Sequence, residues 1–150
     1  MTAKDTSTTP LWLQVLHSAQ RVETRFEEEL SGVGLSISKL GVLRILVDEG
    51  QPMPLSRLAG KLSCVKSNVT QLVDRLEADG LVARINDPAD RRSVLASITD
   101  AGRERFTAGI EAAGRADAAL FGETSAEDRH RLEELFTRLC AGGCQEQSVD

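Results

Sequence analysis

The sequence has no tyrosine, one tryptophan and four phenylalanines in 150 residues. Surfaces that hold single-stranded nucleic acid stack its bases on exposed rings, so this chain is poorly equipped for that task. Cysteine is as scarce. Cys64, Cys140 and Cys144 form an odd set, with no disulfide framework, which fits a reducing compartment. No Cys-x-x-Cys or paired-histidine spacing is present, so no metal site is expected. No run is apolar over the length a bilayer requires. Met1–Pro10 carries one cation, Lys4, followed by Thr and Ser, without the apolar centre of a secretory signal. The expected location is cytoplasmic, away from membranes.

Enzyme signatures are missing too. Gly32-Val33-Gly34 lacks the third glycine of a dinucleotide fingerprint and does not follow a strand. There is no Gly-x-Ser-x-Gly elbow, and two distant histidines give no pairing of nucleophile and base. Neither catalysis nor a cofactor is expected. The net charge of −5 argues, at face value, against any nucleic-acid partner.

What is present is an ordinary globular balance, 41% hydrophobic and 27% charged, in a length that suits one domain with a real core. From Leu11 to Leu30 apolar residues recur at three- and four-residue steps, an amphipathic helix with Pro10 near its first turn. Its Glu27-Glu28-Glu29 run reads as a solvated face. Ser36 suits the N-cap of a second helix that stops at Gly50. Pro52 and Pro54 mark a turn before a short helix over 55–62. A regular helix follows over 65–79, with Val65, Val69, Leu72, Val73 and Leu76 inward and Gly80 at its end. Leu81–Ile85 and Val94–Ile98 read as two strands around a polar turn. Thr99 or Asp100 can cap a long helix, which Gly109 and Gly114 weaken by roughly 1 kcal/mol each. Ser125 opens a last helix, with Asp128 completing an acidic version of the capping box, before Gly142-Gly143 and a flexible polar tail over 142–150. The fold class is mainly α with a small antiparallel β-hairpin.

The order is short helix, turn, polar-faced helix, then a hairpin with a basic tip. A helix that enters the major groove needs small hydrogen-bonding side chains near its N-terminal half and cations on its flanks. Ser67, Asn68, Thr70 and Gln71 have the first character, Lys66 and Arg75 the second. Ser67, Gln71 and Arg75 fall on one line, with Asn68 beside it. At the tip, Arg91 and Arg92 offer adjacent guanidinium groups, and Asp90 is placed to tie one of them down and orient the tip. Arg57 to Arg92 holds seven cations and five acids, a charge of +2, and the remaining eleven cations and eighteen acids give −7. Segregation of charge, not its total, is the useful quantity.

The run from Ser67 through Val82, then Arg84, then Asp87-Pro88-Ala89-Asp90-Arg91-Arg92-Ser93, and finally Ile98-Thr99-Asp100-Ala101-Gly102, resembles the MarR family of winged helix-turn-helix regulators. The resemblance implies a DNA-binding region over 36–98 and dimerisation helices over 10–31 and 100–141, within a single MarR-like chain. It implies a homodimeric repressor on a pseudo-palindromic double-stranded operator, often released by a small phenolic or other anionic effector. Arg84 would then touch the DNA backbone or brace the wing. The family's capping serine two residues ahead of Ser67 is replaced by Val65, with Ser63 available one turn earlier.

Trp12 and the few phenylalanines are the only rings for an effector pocket, and His17 and Arg21, four apart, could give it a cationic rim; a surface pair or dimer contact is the plainer role. Cys64, beside Lys61 and Lys66, raises a thiol-based redox switch on the same scaffold as an alternative, against a plain buried cysteine. Another alternative is a winged-helix protein adaptor without DNA binding.

Overall fold

The computed structural model describes residues 9–62 and 68–143. It divides the chain into two compact units, Met1–Ala116 and Asp117–Asp150, where one domain is expected from length alone.

The first unit opens with α1 (Leu11–Ser31), following Pro10. Leu30 is the residue α1 buries fully, while Leu11, Trp12 and Leu16 are 75%, 64% and 57% exposed. An amphipathic helix ordinarily buries its apolar stripe, so the first half of α1 presents one with no cover in this unit. Helix α2 (Ile37–Glu49) begins where expected, with the Ser36 hydroxyl accepting the Lys39 N–H at 3.2 Å. It ends on Gly50 at φ 70°, a left-handed cap that glycine takes without a Cβ penalty.

The glutamate run is not merely solvated. The Glu27 carboxylate accepts the Ile37 N–H at 3.1 Å, satisfying a free donor at the start of α2. Glu29 joins Arg25 at 2.9 Å and Arg115 at 3.1 Å.

The proline turn contains an unexpected strand. β1 (Met53–Pro54) pairs antiparallel with Ala96 and Leu95 before α3 (Leu55–Lys61). Pro54 is tolerated because the sheet order β1-β3-β2 puts its strand at an edge. After α4 (Val69–Ala78) come β2 (Val82–Asn86) and β3 (Val94–Ile98), paired from Val82 with Ile98 to Asn86 with Val94. The core gathers Leu30, Leu43, Leu46, Met53, Leu58, Leu76 and Val82 from helices and sheet alike.

α5 (Asp100–Phe121) starts at Thr99, whose hydroxyl accepts the Gly102 N–H at 3.0 Å and donates to the Gly80 carbonyl at 2.7 Å. One side chain thus caps α5 and pins it to the turn after α4. Gly109 has a packing role beside its helix cost: it is buried, and a Cβ there would come within 2.7 Å of Leu35 and 2.8 Å of Leu40. Its missing side chain lets α5 lie close on the core.

The second unit holds the end of α5 and α6 (Ala126–Gly143). Ser125 accepts the Asp128 N–H at 3.1 Å and donates to its carboxylate at 2.9 Å. Gly142 and Gly143 are the last two residues of α6. Leu135, Phe136 and Leu139 are exposed along α6. Among the described residues no helix is long and apolar enough to cross a membrane.

Candidate nucleic-acid interface

Helix α4 buries Leu72, Val73 and Leu76 and leaves Thr70, Gln71, Asp74 and Arg75 exposed. Of the helix expected over 65–79, the described part begins at Val69, with Asn68 in extended backbone (φ −67°, ψ 100°) as its N-cap. Its carboxamide oxygen accepts the Gln71 N–H at 3.4 Å. Asparagine is among the favoured N-caps because its oxygen can satisfy a first-turn amide. Ser63, Cys64, Lys66 and Ser67 lie outside the described residues, and with them the redox site and the first expected groove contacts.

Arg84, expected to reach DNA or brace the wing, is occupied inside the protein. From β2 its guanidinium pairs with Asp74 and, at 3.1 Å, with Glu77 of α4. Its second amino group donates to the Thr70 carbonyl at 3.4 Å, and its backbone N–H to Glu77 at 3.3 Å. The hydrogen bond to Asp74 raises its pKa above the ordinary arginine value, against the opposing effect of burial. A planar fork suits such multiple acceptors. The result is a brace that fixes the wing strand against α4.

Arg57 and Lys61 of α3 are committed in the same way, at 2.8 Å and 2.9 Å from Glu49 at the end of α2. The Lys61 hydrogen bond holds the Glu49 carboxyl below its ordinary value, with the Arg57 charge adding to it and burial opposing. Lys39 pairs with Asp79 at 2.7 Å.

The wing tip is tied by its own acids. Asp87 accepts the Ala89 N–H at 2.8 Å, and Asp90 accepts the Arg92 N–H at 3.0 Å. Such short-range bonds hold a turn without regular pairing. Asp90 therefore orients the tip through the Arg92 backbone and not, as expected, through a guanidinium. Among the described residues, Arg75, Arg91 and Arg92 have exposed side chains and no ion pair. These three sit on α4 and on the wing, the two elements a winged helix presents to a duplex, while Arg21, Arg103 and Arg138, likewise exposed and without an ion pair, lie on other helices.

Trp12, His17 and Arg21 are all exposed on α1, and Cys140 is exposed on α6.

The MarR family model matches residues 35–94, from the residue before the cap of α2 to the first residue of β3. YkoM of Bacillus subtilis (strain 168), an uncharacterized HTH-type transcriptional regulator, is 39% identical over 71 residues, covering 47% of this chain and 46% of that protein. YetL of the same organism, an HTH-type transcriptional repressor, is 26% identical over 140 residues, covering 90% and 84%. With the first curated relatives the match spans about half to two thirds of their length. The fold is shared with the organohalide-sensing regulator RdhR-CbdbA1625 in its 2,4-dichlorophenol-bound form, at a TM-score of 0.76 and 21% identity, over 93% of this chain and 85% of that one. Sequence match, helix order and wing agree: the chain belongs to the MarR family of winged helix-turn-helix transcriptional regulators.

Proposed function

We propose that this protein is a sequence-specific double-stranded DNA-binding repressor. The observation that carries the reading is the set of exposed cations without an ion pair among the described residues of α4 and the wing, Arg75, Arg91 and Arg92, together with the exposed Thr70 and Gln71. Phosphates fix register through such cations, and side chains near the start of α4 read the groove. Lys66 and Ser67, which precede Asn68 in the sequence, are further expected contacts. A family relative with a matching span, YetL, is a repressor, which supports the sign of the regulation. Action on DNA places the protein in the cytoplasm.

The protein acts as a homodimer. The exposed apolar residues of α1, and separately those of α6, are surfaces that a second copy covers. Two recognition helices then enter successive major grooves roughly 34–36 Å apart on a pseudo-palindrome. A small phenolic or anionic effector releases the DNA, with Trp12, His17 and Arg21 of α1 as its contacts. The binding of 2,4-dichlorophenol by the similar regulator RdhR-CbdbA1625 supports this class of effector.

Selection from a random duplex pool tests the reading. The expected result is enrichment of one pseudo-palindromic site. Enrichment of nothing by the folded protein contradicts it and favours a protein adaptor on the same scaffold.

A further inference from the structure

We infer that Gln71 reads a base, making the two-point match to adenine in the major groove, and that Asn68 reads none; the inference rests on the DNA-binding role proposed above. The outward side chains of α4 divide by what they already hold. A carboxamide recognises adenine by presenting its oxygen and its amide together, the oxygen accepting from N6 and the amide donating to N7. The Asn68 oxygen is turned back onto the Gln71 N–H as the helix cap. What Asn68 has left is a donor, which suits a phosphate. Asp74 is paired with Arg84 and so withdrawn from the groove. Thr70 has a single hydroxyl and cannot make a forked contact.

The Gln71 side chain, by contrast, is unengaged among the described residues. Third in the helix behind an asparagine cap, it could close a capping box by returning its oxygen to the Asn68 N–H. Among the described residues the side chain makes neither that bond nor any other, and it is exposed. It stands in the first turn of α4, the part of a recognition helix that meets base edges. Arg75, one turn on along the same line, has a free guanidinium that can fix register on the adjoining phosphate.

The test is duplex selection with the full chain and three variants, with circular dichroism melting to confirm that each is folded. Gln71→Glu offers only acceptors and so matches the cytosine amine in place of adenine. Gln71→Ala offers nothing. Asn68→Ser keeps a capping oxygen and removes the amide. The wild type is expected to enrich a site with an adenine in each half. Gln71→Ala then loses that preference alone, a change of about tenfold to a hundredfold in relative affinity for the adenine site. Gln71→Glu shifts the position to cytosine, and Asn68→Ser keeps the wild-type motif. An unchanged motif with Gln71→Ala, or a base preference lost with Asn68→Ser, overturns the assignment while leaving DNA binding in place. Failure of the wild type to enrich any motif removes the DNA-binding reading and this assignment together.

Discussion

Two glycines of α5 that look alike in the sequence meet opposite surroundings. A Cβ on Gly102 would stand 2.1 Å from the Leu81 carbonyl oxygen and 2.7 Å from Ile98, whereas one on Gly114 would meet nothing within 4 Å. Backbone cannot step aside as a flexible side chain can, so Gly102→Ala is expected to destabilise the fold by about 1–3 kcal/mol. Gly114→Ala, in an exposed helix interior, should stabilise it by about 0.5–1 kcal/mol. Urea unfolding of the two variants checks the pair, and changes of the same sign in both would contradict this packing. The sequence carries no sign of the difference, because it is made by Leu81, which is far from Gly102 along the chain and next to it in space.

At the scale of elements, several ion pairs tie one element to another. Glu49 links the end of α2 to Arg57 and Lys61 of α3. Its carboxyl lies below the ordinary 4.5 when folded, first through Lys61. A lowered folded value gives stability that is present above 4.5 and lost as pH falls through the folded value. Glu49→Gln should therefore be less stable than wild type at neutral pH, with the gap narrowing on acidification below 4.5. Unfolding midpoints across pH measure this; a gap that stays constant would show that the carboxylate charge plays no part.

Elements defined by their own periodicity were legible from residues alone. α1, α2 and the strand Val94–Ile98 begin and end within a residue or so of expectation, because apolar spacing and a local cap specify each. β1 was not legible: two residues including a proline have no strand signal, and they pair because β3 offers an edge. The start of α4 was misplaced because Val65 continues the apolar stripe, whereas Asn68 caps the helix one turn later. The resemblance reached the element order and the wing, yet could not tell which polar groups were already in use. For Arg84 it left a DNA contact and a wing brace both open, and in the fold the guanidinium is taken by Asp74 and Glu77.

For the whole molecule this changes the meaning of its charge. The +2 of the segment from Arg57 to Arg92 counts Arg57, Lys61 and Arg84, all three paired within the protein. Pairing removes acids from the face as well: Asp74 and Glu77 meet Arg84, and Asp79 meets Lys39. Among the described cations of that segment, Arg75, Arg91 and Arg92 face outward without an ion pair, and the wing acids Asp87 and Asp90 hold backbone N–H groups. An acidic protein can thus carry a local surface for a polyanion, because within the segment from Arg57 to Arg92 the paired cations are neutralised internally and the described ones left over lie on α4 and the wing.

The salt dependence of duplex binding by wild type and by the Arg91→Ala, Arg92→Ala double variant tests this most directly. Each phosphate neutralised contributes about −0.9 to the slope of log affinity against log salt. If both wing cations meet phosphates, the double variant should bind more weakly, with a slope shallower by about 1.8 for each protomer on the DNA. An unchanged slope in the folded double variant would contradict the account.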